Sequence, residues 1–424
     1  MSQGEVLHSD AGHEQTMVIV GAGHAGGRAA LTLREAGFAG RILLIGDEAH
    51  LPYERPPLSK ALLKGESSLA ACSLFSEASF IASGIEHISG VRVTGIDPAQ
   101  HRLTLNNGVA LSYSKLLLAT GGQSRSLDLG GRVFSNVHYL RTFDEAVGLQ
   151  QRLTPGSRLL VIGGGFIGLE VASSARDLGC EVTVLEAGAR LAARALPERV
   201  SEALLTLHRR KGVVIELGAQ IAAFHGSDRL ESVQLVSGQR LGCDVLLVGI
   251  GMQPNLDLAL QAGLATGSGI QVDGFLQTSA PDVYAAGDVC EFARADGGFH
   301  RQETWRNAEA QGRLAALNML GQRQLFTGVP GFWSDHYEFG LQTVGVLAPG
   351  ARVIQREYAD AGFVLFYLDQ HSRLLGASGW GAGNSIAKDI KLCERLIESQ
   401  VELPLAPLAD AGVSLKGLLR GAHV

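Results

Sequence analysis

The chain has 424 residues, 46% of them hydrophobic, and a formal net charge of −6 at pH 7. That length is large for one core and predicts two or three domains. No apolar run is long enough to span a membrane, and the acidic balance argues against general nucleic-acid binding.

Residues 1–15 are polar and lack the basic-then-apolar pattern of a secretion signal, so a disordered tail on a cytoplasmic protein is expected. Met17 to Val20 then reads as a short apolar strand running into Gly21, Gly23 and Gly26, and Ala29 to Ala36 continues as a helix that Gly37 is placed to end. This pattern is a dinucleotide cradle. Its first glycine permits a tight turn, the second lets a pyrophosphate approach the backbone, and the third packs helix against strand. The next strand, Arg41 to Ile45, is followed by Gly46, Asp47 and Glu48, so the ribose contact falls to either acid.

In LPYERPPLSKALL, residues 51–63, Pro56 and Pro57 are expected to fix an extended approach, with Ser59 capping a short helix that starts near Lys60. Such stiffening holds the Lys60 side chain in one direction, as a site requires; the alternative is a rigid turn with a solvated lysine. Ile88 to Leu111 alternates and turns at Asn106, Asn107 and Gly108, the pattern of an antiparallel meander. Lys115 to Thr120 is a buried strand that leads into ATGGQSR, residues 119–125, a glycine-rich crossing that either lines a cofactor or is a simple loop.

A second cradle follows. The strand Leu159 to Ile162 runs into Gly163, Gly165 and Gly168 and then an amphipathic helix. About 20 residues on, after the strand Glu181 to Leu185, Glu186 stands where it would accept from a ribose 2′-hydroxyl, which favours NADH over NADPH. A helix from Glu198 to Lys211 and the strand Val213 to Glu216 complete a parallel α/β unit, and beyond it Val245 to Val248 leads into GIGMQPN. In DVYAAGD, residues 282–288, small residues lead to Asp288, a carboxylate set either against a hydroxylated ligand chain or as a cap. From residue 332 the composition changes. Runs at Leu341 to Val346, Arg352 to Tyr358, Phe363 to Leu368 and Leu374 to Ser378, then a helix from Asn384 to Ser399, predict an antiparallel sheet with helices.

The expected fold class is therefore α/β, with two Rossmann-like dinucleotide-binding domains and a C-terminal α+β domain. Two cradles imply two dinucleotides. The five cysteines (Cys72, Cys180, Cys243, Cys290 and Cys393) form no CxxC pair and no cluster with histidine, which argues against a metal site or redox disulfide and for buried thiols in a reducing compartment.

Motifs in fixed order carry a resemblance: GAGHAG (21–26), PYERPPLSK (52–60), ATGGQSR (119–125), GGGFIGLE (163–170), GIGMQPN (249–255), TSAPDVYAAGD (278–288), ETWRNAEAQGR (303–313) and FWSDHYEFGLQTVG (332–345). With them the chain resembles, from Met17 onward, the flavoprotein NADH:ferredoxin reductases that serve aromatic-ring dioxygenases and bacterial cytochrome monooxygenases. The resemblance implies a glutathione-reductase-like arrangement: an FAD domain in two segments (16–123 and 246–331), an inserted NADH domain (124–245) and a C-terminal domain (332–424).

It further implies that Gly21, Gly23, Gly26, Arg55, Lys60, Thr120, Gly121, Arg125 and Asp288 hold FAD, with Asp47 or Glu48 at its ribose, Arg125 at its pyrophosphate and Asp288 on its ribityl chain. Gly163, Gly165, Gly168, Glu186 and Gly251 would hold NADH. Lys60 and Glu170 would pair beside the flavin N5 as the catalytic groups, with Trp305 and Trp333 near the flavin. The position equivalent to Glu170 in the first cradle is Arg28, so the cradle itself does not demand an acid.

One departure stands out: the family usually has glutamine after Trp333, Ser334 and Asp335, where this chain has His336, a group able to titrate near neutral pH. The implied activity is electron transfer from NADH through FAD to an acidic two-iron two-sulfur ferredoxin, docked near Arg313 and Lys416. Two rivals share the motifs: a thiol-using peroxidase or disulfide reductase, for which Cys72 is the nearest thiol, and a flavin-bound interaction protein resembling apoptosis-inducing factor.

Overall fold

The computed structural model describes residues 15–293 and 298–421. The expected tail, apart from Gln15, lies outside them. Two five-stranded parallel sheets form the body of the molecule. In the first, the order is Glu86–Ile88, Arg41–Ile45, Thr16–Val20, Lys115–Leu118, Val283–Ala285. In the second it is Val214–Leu217, Glu181–Glu186, Arg158–Ile162, Val245–Val248, Val137–His138.

The two lobes are topological copies. In each, the strand that runs into the glycines sits at the centre and an antiparallel three-stranded meander precedes the last of the four shared strands; the fifth, an edge strand, comes last in the chain in the first lobe (Val283–Ala285) and first in the second (Val137–His138). The meanders are Val93–Asp97, Arg102–Leu105 and Ala110–Ser112 in one lobe, and Ile221–Gly226, Leu230–Leu235 and Arg240–Gly242 in the other. The central strands are buried almost throughout, Val18 and Ile19 in one and Val161 in the other being fully inaccessible, as expected where helices cover both faces of a parallel sheet.

The chain passes between lobes at a short antiparallel pair, Gly122–Ser124 with Met252–Pro254. Since Val245–Val248 is hydrogen-bonded inside the second sheet, the return to the first lobe comes after that strand and not at residue 246. An apolar run beside a motif does not reveal which of two equivalent sheets it joins.

The C-terminal sheet is antiparallel, in the order Gly331–His336, Phe339–Gly345, Leu374–Ala382, Phe363–Leu368, Arg352–Glu357. The helix Ala387–Ser399 covers it, with Ile390, Cys393 and Leu396 buried. Its first strand escapes the alternating-pattern reading because Phe332 and Trp333 are adjacent aromatics, both half-buried.

Candidate functional site

The two cradles use the same geometry. Gly21 has φ +109 and Gly163 φ +107; a Cβ on Gly21 would stand 2.2 Å from the Ala119 carbonyl oxygen, and one on Gly163 2.3 Å from that of Gly249. The third glycines are equally constrained, because a Cβ on Gly26 would meet the Gly21 carbonyl oxygen at 1.9 Å and one on Gly168 the Gly163 oxygen at 2.3 Å.

The middle glycines differ. A Cβ on Gly165 would have no heavy atom within 4 Å, and one on Gly23 only the Arg55 guanidinium, at 3.8 Å. Both are helix N-caps without a side-chain cap, so each helix (His24–Glu35 and Phe166–Asp177) opens onto free space with uncapped N–H groups. That is the arrangement a pyrophosphate fills.

The acids after the cradles separate on size. Glu186 accepts from the backbone N–H of Gly164 at 2.7 Å and of Gly188 at 2.6 Å, a placement that needs a glycine at 164. In the first cradle the corresponding pair is Ala22 against Gly46, where a Cβ on Gly46 would lie 2.6 Å from that of Ala22. The alanine methyl occupies the space, and the acids come later. Of these, Glu48 accepts from the Arg55 guanidinium at 2.8 Å and from the Tyr53 hydroxyl, while Asp47 pairs with Arg92 on the surface at 3.1 Å.

Between the cradles lies a cleft of about 570 Å³ whose walls include Thr120, Gly121, Gly251, Asp288, Trp305 and Trp333. Asp288 accepts from Arg141 at 2.6 Å. The two tryptophan rings meet edge to face with centroids 5.7 Å apart, and Trp305 also packs on His24, 4.8 Å away. Arg125 Nε donates to the Met252 carbonyl at 3.1 Å, on the crossing that contains Gly251.

Lys60 and Glu170 meet at the cleft wall, Nζ to Oε1, at 2.8 Å. Pro56 and Pro57 are not extended but open a 3-10 turn, Pro56–Ser59, at whose C-terminal end stands Lys60. Ser59 does not cap a helix either; its hydroxyl donates to Glu170 Oε2 at 2.5 Å. Ser334, from the C-terminal sheet, donates to Oε1 at 2.5 Å. Glu170 is only 4% exposed, so these donors replace the water it lacks. Nearby, partial desolvation by the surrounding protein pushes the carboxyl of Asp335 up although the residue is exposed, with Lys60 opposing and Glu170 adding to the shift. The equivalent residue of the first cradle, Arg28, is also ion-paired, with Glu309 at 2.7 Å.

Ser59, Ser334 and Arg141 are polar partners that motif reading passes over. Only Ser59 carried a signal, as the neighbour of a stiffened lysine. His336 is fully buried and, with burial the main cause and Lys60 adding to it, is pushed down to about 3; it neither faces solvent nor titrates near neutral pH. All five cysteines are buried and none lines the cleft. Arg313 and Lys416 are both exposed.

The pyridine nucleotide-disulphide oxidoreductase family model matches residues 15–312, and the reductase C-terminal model matches residues 331–419. The p-cumate 2,3-dioxygenase system ferredoxin–NAD(+) reductase component of Pseudomonas putida is 36% identical over 400 residues, 94% of this chain and 97% of that one. The biphenyl dioxygenase system ferredoxin–NAD(+) reductase component of Paraburkholderia xenovorans is 36% identical, covering 96% and 98%. Among solved structures, the reductase chain of the covalent putidaredoxin reductase–putidaredoxin complex superposes with a TM-score of 0.92 at 35% identity, covering 97% of this chain and 99% of that one. The chain belongs to the pyridine nucleotide-disulphide oxidoreductase family and carries the reductase C-terminal domain.

Proposed function

We propose that this chain is the FAD-dependent NADH:ferredoxin reductase of an oxygenase system, passing electrons to a two-iron two-sulfur ferredoxin that feeds a ring-hydroxylating dioxygenase or a related oxygenase. The observation that carries the reading is the meeting of two open glycine cradles at one cleft, with the Lys60–Glu170 pair between them. Relatives of matching length are named as reductase components of dioxygenase systems, and one solved relative is held in complex with its ferredoxin.

FAD, when bound, takes up an electron pair as hydride and gives electrons up one at a time. The chain's part is positioning. Gly23 and the helix behind it receive the FAD pyrophosphate, with Gly21 and Gly26 shaping the turn; Arg55 braces Glu48 beside that turn, and Asp288, steadied by Arg141, bonds the ribityl hydroxyls. Thr120 and Gly121 form one wall, Trp305 and Trp333 another. Gly163, Gly165 and Gly168 shape the NADH cradle, Gly251 edges it, and Glu186 accepts from the ribose. Lys60, held by Glu170, presents a fixed positive charge to the reacting edge.

The ferredoxin docks through Arg313 and Lys416, both exposed, since local positive charge attracts an acidic partner even on an acidic protein. Neutralising both should abolish ferredoxin turnover and leave ferricyanide turnover intact; unchanged ferredoxin kinetics and salt dependence remove them. No helix of the described residues is long and apolar enough to cross a membrane, and the reading places the protein in the cytoplasm, testable by fractionating cells that express it. The deciding experiment is an absorption spectrum before and after anaerobic NADH. Oxidised-flavin bands that bleach are expected; a protein that stays colourless after reconstitution with FAD overturns the reading.

A further inference from the structure

The polar contacts of Glu170 continue inward, away from the cleft. Ser334 and His336 are two apart on one strand and so face the same side, with Ser334 Oγ 3.0 Å from His336 Nε2. His336 Nδ1 lies 3.4 Å from Nε2 of His208, which belongs to the helix Glu198–Arg210 of the second lobe. The two rings meet edge to face, centroids 5.2 Å apart, and both are inaccessible to solvent. A row of side chains thus runs from Lys60 at the cleft through Glu170, Ser334 and His336 to His208.

The protons of this row follow from its chemistry. Glu170, paired with Lys60, only accepts. Ser334 has a single hydroxyl proton, and 2.5 Å from Oε1 that proton is committed to Glu170. Toward His336 the serine therefore offers lone pairs alone, so His336 carries its hydrogen on Nε2. A neutral His336 then has a lone pair on Nδ1, which accepts from the Nε2–H of His208. Burial keeps both rings neutral, each pushed down to about 3, with Lys60 reinforcing this at His336 and His336 at His208. The other groups around the row are the Leu169 carbonyl, a further acceptor for the His336 ring N–H, and the Tyr337 ring against His208, while Asp335 alternates to the exposed side of the strand.

We infer that His336, backed by His208, is a positioning residue for the cleft: it orients Ser334 so that every donor in the row points at Glu170 and keeps that carboxylate on Lys60. The inference rests on the reading that this cleft holds the flavin. Where the resembling family has glutamine, an amide N–H would supply the same donor, so His336→Gln is the conservative replacement and His336→Leu the disruptive one.

Two measurements test it on the FAD-loaded protein. In histidine-15N-labelled protein, ring-nitrogen NMR should show two neutral Nε2–H rings that do not titrate between pH 5.5 and 8 (about one unit either side of an ordinary histidine), one of them missing in the His336→Gln spectrum. A charged His336 or an Nδ1–H tautomer overturns the inference. In anaerobic reduction by NADH, His336→Leu should lower the limiting rate of flavin bleaching about tenfold, the scale of one lost hydrogen bond, without changing the half-saturating NADH concentration. His336→Gln should stay within about twofold of the parent on the same scale. If His336→Leu fails to retain flavin, Ser334→Ala should give the same tenfold loss. A parent that binds FAD but is not bleached by NADH sinks the proposed function; a parent that bleaches while His336→Leu or Ser334→Ala bleaches equally fast sinks this inference alone.

Discussion

Lys60 Nζ lies 2.8 Å from Glu170 Oε1, an ion pair joining the turn after the first cradle to the helix that opens the second. Glu170 is buried while Lys60 keeps 22% of its side chain exposed, so removing the lysine strands a charge that water reaches poorly. Stranding a fully buried charge costs about 3–5 kcal/mol; two serine donors remain here, so Lys60→Met should destabilise by about 1–3 kcal/mol. Urea unfolding of the parent and variant checks the figure. The same variant should slow flavin bleaching by NADH.

The middle and last glycines of the second cradle should respond oppositely to a methyl group. Gly168→Ala places a Cβ 2.3 Å from a backbone oxygen, whereas Gly165→Ala places it in open space. The first should cost about 1–3 kcal/mol or more of stability, as overpacking does. The second should fold as well as the parent and lose NADH affinity, read by titration. Equal melting temperatures for the two variants would contradict the cradle geometry.

Glu186 is preset by two backbone donors. Replacing it with alanine should weaken NADH by about 1.5–3 kcal/mol, the scale of a hydrogen bond to a charged group, and narrow the preference over NADPH. An unchanged ratio of the two affinities would mean that the ribose lies elsewhere.

Acid should destabilise the protein through His208 and His336. Both titrate at about 3 when folded and near 6.5 otherwise, so in that window the unfolded chain binds more protons and stability falls as pH falls. Each histidine contributes at most about 1.4 kcal/mol per pH unit. Urea unfolding at pH 7, 6 and 5 should show this slope, and His336→Gln should flatten it.

The five cysteines should be silent to thiol reagents in the native protein and react only after unfolding, with or without NADH. Burial pushes Cys243 up to about 11 and Cys290 and Cys393 higher, where almost no thiolate exists. A free-thiol count that changes on NADH reduction would revive the disulfide-reductase alternative.

Much of this protein is legible along the chain because a dinucleotide cradle is local: strand, three glycines and helix occupy consecutive residues, and so does the step from Leu185 to Glu186. The two prolines before Lys60 mark it in the sequence, although they form a 3-10 turn and not an extended arm. What surrounds Glu170 was not legible. Ser59 is 111 residues from it and Ser334 164, and a buried carboxylate takes its donors from whatever the packed lobes bring within reach, without regard to sequence distance. His336 shows the same limit. Its residue type promised a neutral-pH titration, and only its burial between two domains, beside Lys60 and a second histidine, removed it.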